Sequence, residues 1–147
     1  MAAINVHSTK IKEHLQEIKD AVAIGLEFRP ATIGFHTTTC AIDLLELYLH
    51  KIGKIQIGAQ IKHEWFKRPK HGQKVTPIAE RHLSIGFPQK EEIFDLLYSL
   101  EEKRNKLIYG NSTKNEILQT YTIFENYKKL LFQMLSKEGI EIEDSNT

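Results

Sequence analysis

The chain has 147 residues, 41% hydrophobic and 27% charged, a globular balance that excludes intrinsic disorder, a collagen-like repeat and a disulfide-dense scaffold. Its 20 Lys and Arg stand against 19 Asp and Glu, a formal net charge of +1, so no global field draws it onto nucleic acid or an anionic membrane. A single cysteine, Cys40, excludes an intrachain disulfide and a Cys-rich zinc site, and fits a reducing, cytoplasmic compartment.

The N-terminus lacks a basic start and an apolar run of signal length, so no targeting segment is expected. Ile11, Leu15, Ile18, Val22 and Leu26 then recur at helical spacing and predict an amphipathic helix. Ser8 or Thr9 would cap its start and Pro30 would end it. A second helix is expected from about Phe35 to Ile52, with Gly53 as its stop. Ala41, Leu45, Tyr48 and Ile52 form its stripe, and Ile42, Leu44, Leu47 and Leu49 widen it so far that packing on two sides is expected. Asp43 and Glu46 interrupt this run, which is too short to span a membrane, so no membrane partner is expected.

Residues 54–88 are broken by Gly58, Gly72, Gly86, Pro69, Pro77 and Pro88 and read as a long excursion with a short helix near residues 60–67. Pro88 with Glu91 and Glu92 opens a further helix over residues 89–109, which Gly110 ends. Thr113 and Glu116 make a capping box for the last helix, which carries Ile117, Phe124, Leu131 and Leu135 and stops at Gly139. The acidic tail, residues 138–147, is expected to fray. No strand pattern or internal repeat competes. The expected fold is one all-α domain, an up-and-down antiparallel four-helix bundle with its core over about residues 8–136 and an extra short helix in a long basic loop. The broad apolar faces, and the aromatic flank of Phe94, Tyr98, Asn105 and Tyr109, add the expectation of a homodimer using the fourth helix.

Arg104 falls inside the apolar arc of Ile93, Leu97, Leu100 and Leu107. A guanidinium there is costly unless paired, so Asp43, Glu46 or Glu101 is expected as its partner. His36, Thr39, Asp43, Glu46 and His50 share one face of the second helix. They read first as a solvated stripe, then as a face from which Asp43 or Glu46 turns to Arg104. Glu46 and His50 stand one turn apart, but a metal centre wants three or four convergent donors, so no metal site and no cofactor are expected. The excursion gathers Lys62, Lys67, Arg68, Lys70, Lys74 and Arg81 against Glu64 and Glu80, with His63, His71 and His82 and the aromatics Trp65 and Phe66. Two readings stand: a nucleic-acid surface of bases and stacking rings, or a solvated loop that Trp65 and Phe66 anchor.

Three strings carry a family resemblance: Phe35-His36-Thr37 through His50; Lys62-His63-Glu64-Trp65-Phe66-Lys67; and Phe87-Pro88-Gln89 leading into Glu101-Glu102-Lys103-Arg104-Asn105 and on to Tyr109-Gly110. In this order and spacing the chain resembles the HEPN superfamily over most of residues 8–136. The resemblance implies a helical bundle that often dimerises. It also implies a function among metal-independent ribonucleases, toxins of toxin–antitoxin pairs and helical partners of nucleotidyltransferases. The family motif is Arg, a polar residue, three others, then His. Arg104 and Asn105 match, and Tyr109 stands where the histidine belongs. Histidine titrates near 6.5 and exchanges a proton at neutral pH, whereas tyrosine as a residue type titrates at about 10. The expected function is therefore a non-catalytic or weakly active protein that binds RNA or a nucleotide, or docks to a nucleotidyltransferase. The alternatives are an active ribonuclease using Arg104 with His63, His71 or His82, and a dimeric structural module.

Overall fold

The computed structural model describes residues 2–70, 72 and 74–143. The helices are α1 (Ala2–Ile24), α2 (Pro30–Lys51), α3 (Ile78–His82), α4 (Lys90–Tyr109) and α5 (Lys114–Lys137), with 3-10 turns at Leu26–Phe28 and His63–Phe66. The structure is all-helical, and the described residues contain no strand. None of their helices is long and apolar enough to cross a membrane.

Helix α2 is central, because it packs against α1, α4 and α5. That accounts for its width of apolar surface: Leu44, Leu45, Leu47 and Leu49 point to different neighbours, and all are fully buried. Two contacts fix it. Tyr127 of α5 is completely buried and donates its hydroxyl to the Ala41 carbonyl at 2.6 Å. On the α4 side Gly34 lets the two backbones close: a Cβ there would sit 2.8 Å from the Leu107 Cβ and 3.4 Å from the Arg104 carbonyl oxygen.

Pro30 does not end the first helix; it is the first residue of α2, where its missing N–H costs nothing and its fixed φ suits the helix. The turn between α1 and α2 is made by Gly25 at φ 124°, a conformation side chains oppose. α1 also starts before Ser8, and Ala21 takes the place of the exposed Val22 on its buried stripe. The capping box of α5 forms. The Thr113 hydroxyl accepts the Glu116 N–H and the Glu116 carboxylate accepts the Thr113 N–H, a cap worth about 1 kcal/mol. The tail is not frayed at its start. The Ile140 N–H donates to Leu135 O at 2.9 Å, and Ile140 and Ile142 pack on the core. Residues 144–147 lie outside the described residues.

The excursion between α2 and α4 contains the 3-10 turn in place of the expected short helix, and α3, which the sequence reading missed. It is stitched down at both ends. Phe66 is buried edge-on to Phe94 and tilted against Tyr98. Lys90 Nζ donates to the Leu83 and Ile85 carbonyls, both at 2.8 Å, and lies over the Phe94 ring. The flank read as a dimer face is thus covered in part by the chain itself: Phe94 is buried and Tyr98 half-buried beneath Phe66 and Arg68.

Candidate functional site

The polar stripe of α2 faces α1 rather than open water. Helix α1 presents His7, Lys10 and His14, at spacings of three and four, to Asp43, Glu46 and His50. The solvated-stripe expectation fails because two successive helices turn their polar faces to each other. His7 Nδ1 lies 3.7 Å from Glu46 Oε1 and 4.0 Å from Asp43 Oδ1. Each carboxylate is held by its other oxygen. Glu46 Oε2 accepts the Ile61 N–H at 2.5 Å, and Asp43 Oδ2 is 3.4 Å from His14 Nε2. His14 Nδ1 in turn meets His36 Nδ1 at 2.8 Å, so one ring donates to the other. His7 Nδ1 and both ring nitrogens of His50 are buried without a hydrogen-bond partner among the described residues, and the two rings are 5.4 Å apart.

His7, Lys10, Asp43, Glu46 and His50 line a cleft of about 560 Å³ closed on its third side by residues 57–64, which bring Lys62 and His63 to it. Burial pushes the Glu46 carboxyl up to about 7; Asp43 adds to the rise, while the Ile61 N–H and Lys10 oppose it. Burial lowers His7 below its usual value, against the pull of Asp43 and with help from His50 and Lys10. His36 is lowered by burial and by His14. The two effects oppose each other in stability. Glu46, whose folded pKa is raised, stabilises the fold fully below about 4.5 and loses that contribution as pH rises to about 7. The lowered histidines contribute above about 6.5 and lose it as pH falls. Urea denaturation in EDTA should therefore show wild type losing stability relative to Glu46→Gln between about pH 4.5 and 7. A constant difference across that range would mean Glu46 is not so buried.

The chain matches no protein-family model, no curated protein and no solved structure. Its chemistry is read from its own residues.

Arg104 is half-buried, and none of the three expected carboxylates reaches it. Asp43 and Glu46 face His7, and Glu101 is taken by His63 Nδ1 at 2.8 Å. The hydrogen bond Arg104 makes is from Nη1 to Asn105 Oδ1 at 3.3 Å, and its Nε is buried without a partner among the described residues. The expected pairing fails because the acids find histidines nearer to hand. Asn105 is exposed, and Tyr109 is 79% exposed at the end of α4.

The basic excursion divides. Arg68 is spent on Asp95 and Glu102 of α4. Lys62, Lys67, Lys74 and Arg81 are exposed, so their charge remains available around a pinned segment; Lys70 is exposed too. Trp65 stacks on His82 at 4.4 Å and Phe66 is core, so the anchor reading holds for both rings. His71 lies outside the described residues.

Sequence reading paired Glu46 with His50 and missed the donors on α1. The signal was there: His7 and His14 stand seven residues apart, two turns on one face. What one helix does not reveal is that the next helix carries the matching stripe.

Proposed function

We propose that the protein is a HEPN-like, cytoplasmic RNA-binding protein that grips the phosphate backbone without cutting it. The observation that supports this is Arg104, a half-buried guanidinium with no acidic partner among the described residues. A charge in that position attracts an anion, and the planar fork of arginine matches phosphate through two parallel hydrogen bonds. Exposed Asn105 and Tyr109 lie on the same helix end and offer donors to phosphate or ribose. Tyr109 supplies no ready proton acceptor for the 2′-hydroxyl, which is why binding is favoured over cleavage. The exposed Lys62, Lys67 and Lys74 supply the salt-sensitive attraction. The reading includes the finer architecture of an up-and-down antiparallel bundle that forms a homodimer. A nucleotide, or a nucleotidyltransferase docked at the same end, would compete for the same fork.

Arg104→Ala should weaken binding of labelled single-stranded RNA about tenfold and reduce the salt slope by about 1. Because the residue has no carboxylate partner to leave stranded, melting should move by only a few degrees. Equal RNA affinity of the two proteins would overturn the assignment.

One observation favours the second reading, a metal-independent ribonuclease. His63 is held by buried Glu101, three residues before Arg104, as a base is held by its orienting carboxylate. Cleavage of RNA in EDTA that is lost in both His63→Ala and Arg104→Ala would select it.

A further inference from the structure

We propose that His7 Nδ1, Asp43 Oδ1 and Glu46 Oε1 bind a divalent first-row transition cation of the zinc type in the α1–α2 cleft, leaving its remaining positions open to the cleft. The three donor atoms lie within 4.8 Å of one another. Ligand atoms held at about 2.0–2.2 Å around a tetrahedral ion stand roughly 3.3 Å apart. His7 stands 3.7 and 4.0 Å from the two carboxylates and no two donors are more than 4.8 Å apart, so an ion would draw them together by between a few tenths of an ångström and about 1.5 Å.

The arrangement of the second oxygens strengthens the case. Glu46 spends Oε2 on the Ile61 N–H, and Asp43 turns Oδ2 to His14, so each carboxylate is fixed in orientation with its other oxygen toward His7. Outer partners that fix a ligand in this way are half of what makes a metal site. The chain Asp43–His14–His36 extends that support to a third side chain. His7 Nδ1 is buried with no hydrogen-bond partner among the described residues, which is costly for a polar atom unless something occupies the space it faces. A cation there answers both the orphan nitrogen and the proximity of two carboxylates.

Two oxygens and one imidazole nitrogen suit Zn²⁺, Co²⁺, Mn²⁺ or Fe²⁺. The nitrogen and the small number of oxygens disfavour Ca²⁺ and Mg²⁺. Three protein donors leave at least one coordination position for water or an anionic ligand, the pattern of open rather than purely structural sites. The cleft beyond it holds His50, Lys10 and Lys62.

The test is titration of the purified full chain, stripped with EDTA and dialysed, with Zn²⁺ by calorimetry and with Co²⁺ by visible absorption. One equivalent should bind in the micromolar range or tighter, with a Co²⁺ band of low-symmetry coordination that millimolar Mg²⁺ does not displace. His7→Ala and Asp43→Asn should abolish the band. His14→Ala, which removes only the outer support of Asp43, should weaken binding about ten- to a hundredfold. His82→Ala, at a histidine stacked on Trp65 away from these donors, should leave it unchanged. Far-UV dichroism of each variant confirms that the helices persist; Asp43→Asn keeps the shape of the side chain, so it serves where His7→Ala does not fold. Absence of binding by folded wild type overturns the proposal. So does binding that survives loss of His7 and Asp43, or that disappears with His82, since the ion would then sit elsewhere among the histidines.

Discussion

Gly34→Val should destabilise the fold by about 3 kcal/mol, a fall in melting temperature of roughly 6–12 °C for a chain of this size. Glycine inside a helix costs about 1 kcal/mol against alanine, so on propensity alone alanine or valine would help. Packing decides the other way. A Cβ at Gly34 meets the Leu107 Cβ at 2.8 Å and the Ile108 Cγ1 at 3.1 Å, atoms close to the α4 backbone that cannot swing aside as a side-chain tip would. Gly34→Ala should therefore lose about 1 kcal/mol net, the propensity gain offsetting part of the overlap. Because the crowded part of α4 carries Arg104, the valine variant should also weaken the RNA binding proposed for that residue. Urea denaturation of the pair checks this; an alanine variant stabilised by about 1 kcal/mol would show that α2 and α4 are free to part.

Phe66→Ala should cost about 3–5 kcal/mol in local stability and release the basic segment from α4. Phe66 is fully buried, 5.2 Å from Phe94 and 5.8 Å from Tyr98 between ring centroids, and its removal opens a void beneath the segment. The segment joins the core from its edge, through Ile61 and Phe66 beside α4, so it should open before the bundle unfolds. Faster amide exchange should be confined to residues 61–68 and the face of α4 holding Phe94 and Tyr98. Trp65→Ala loses the stack on His82 and a half-buried contact with the core, and should cost less. Uniform loss of protection across all helices after Phe66→Ala would mean that the segment and the bundle unfold as one.

The helices were legible wherever a local rule had one outcome. The apolar width of α2 implied neighbours on more than one side, and α1, α4 and α5 supply them. The Thr113–Glu116 box fixed the start of α5 because its partners are three residues apart. Pro30 was misread because proline is compatible with either end of a helix; only the left-handed turn at Gly25 decides between them. The cleft was illegible for a different reason. Periodicity on α2 finds its polar face but not what covers it, and His7 is 36 residues away from Asp43 in sequence. Likewise the position of Arg104 in an apolar arc was visible, but not the competition in which His7 and His63 take the carboxylates it was expected to meet.

The bond from Tyr127 to Ala41 also orders events during synthesis. Helix α2 is complete at Lys51, but the residue that closes its α5 side is translated 76 positions later. At about 5–20 residues per second that interval is roughly 4–15 s. Through it α2 has α1 and then α4 as neighbours in the chain made so far, but not α5. The apolar side that α2 turns to α5 thus goes without its cover until the last helix is made.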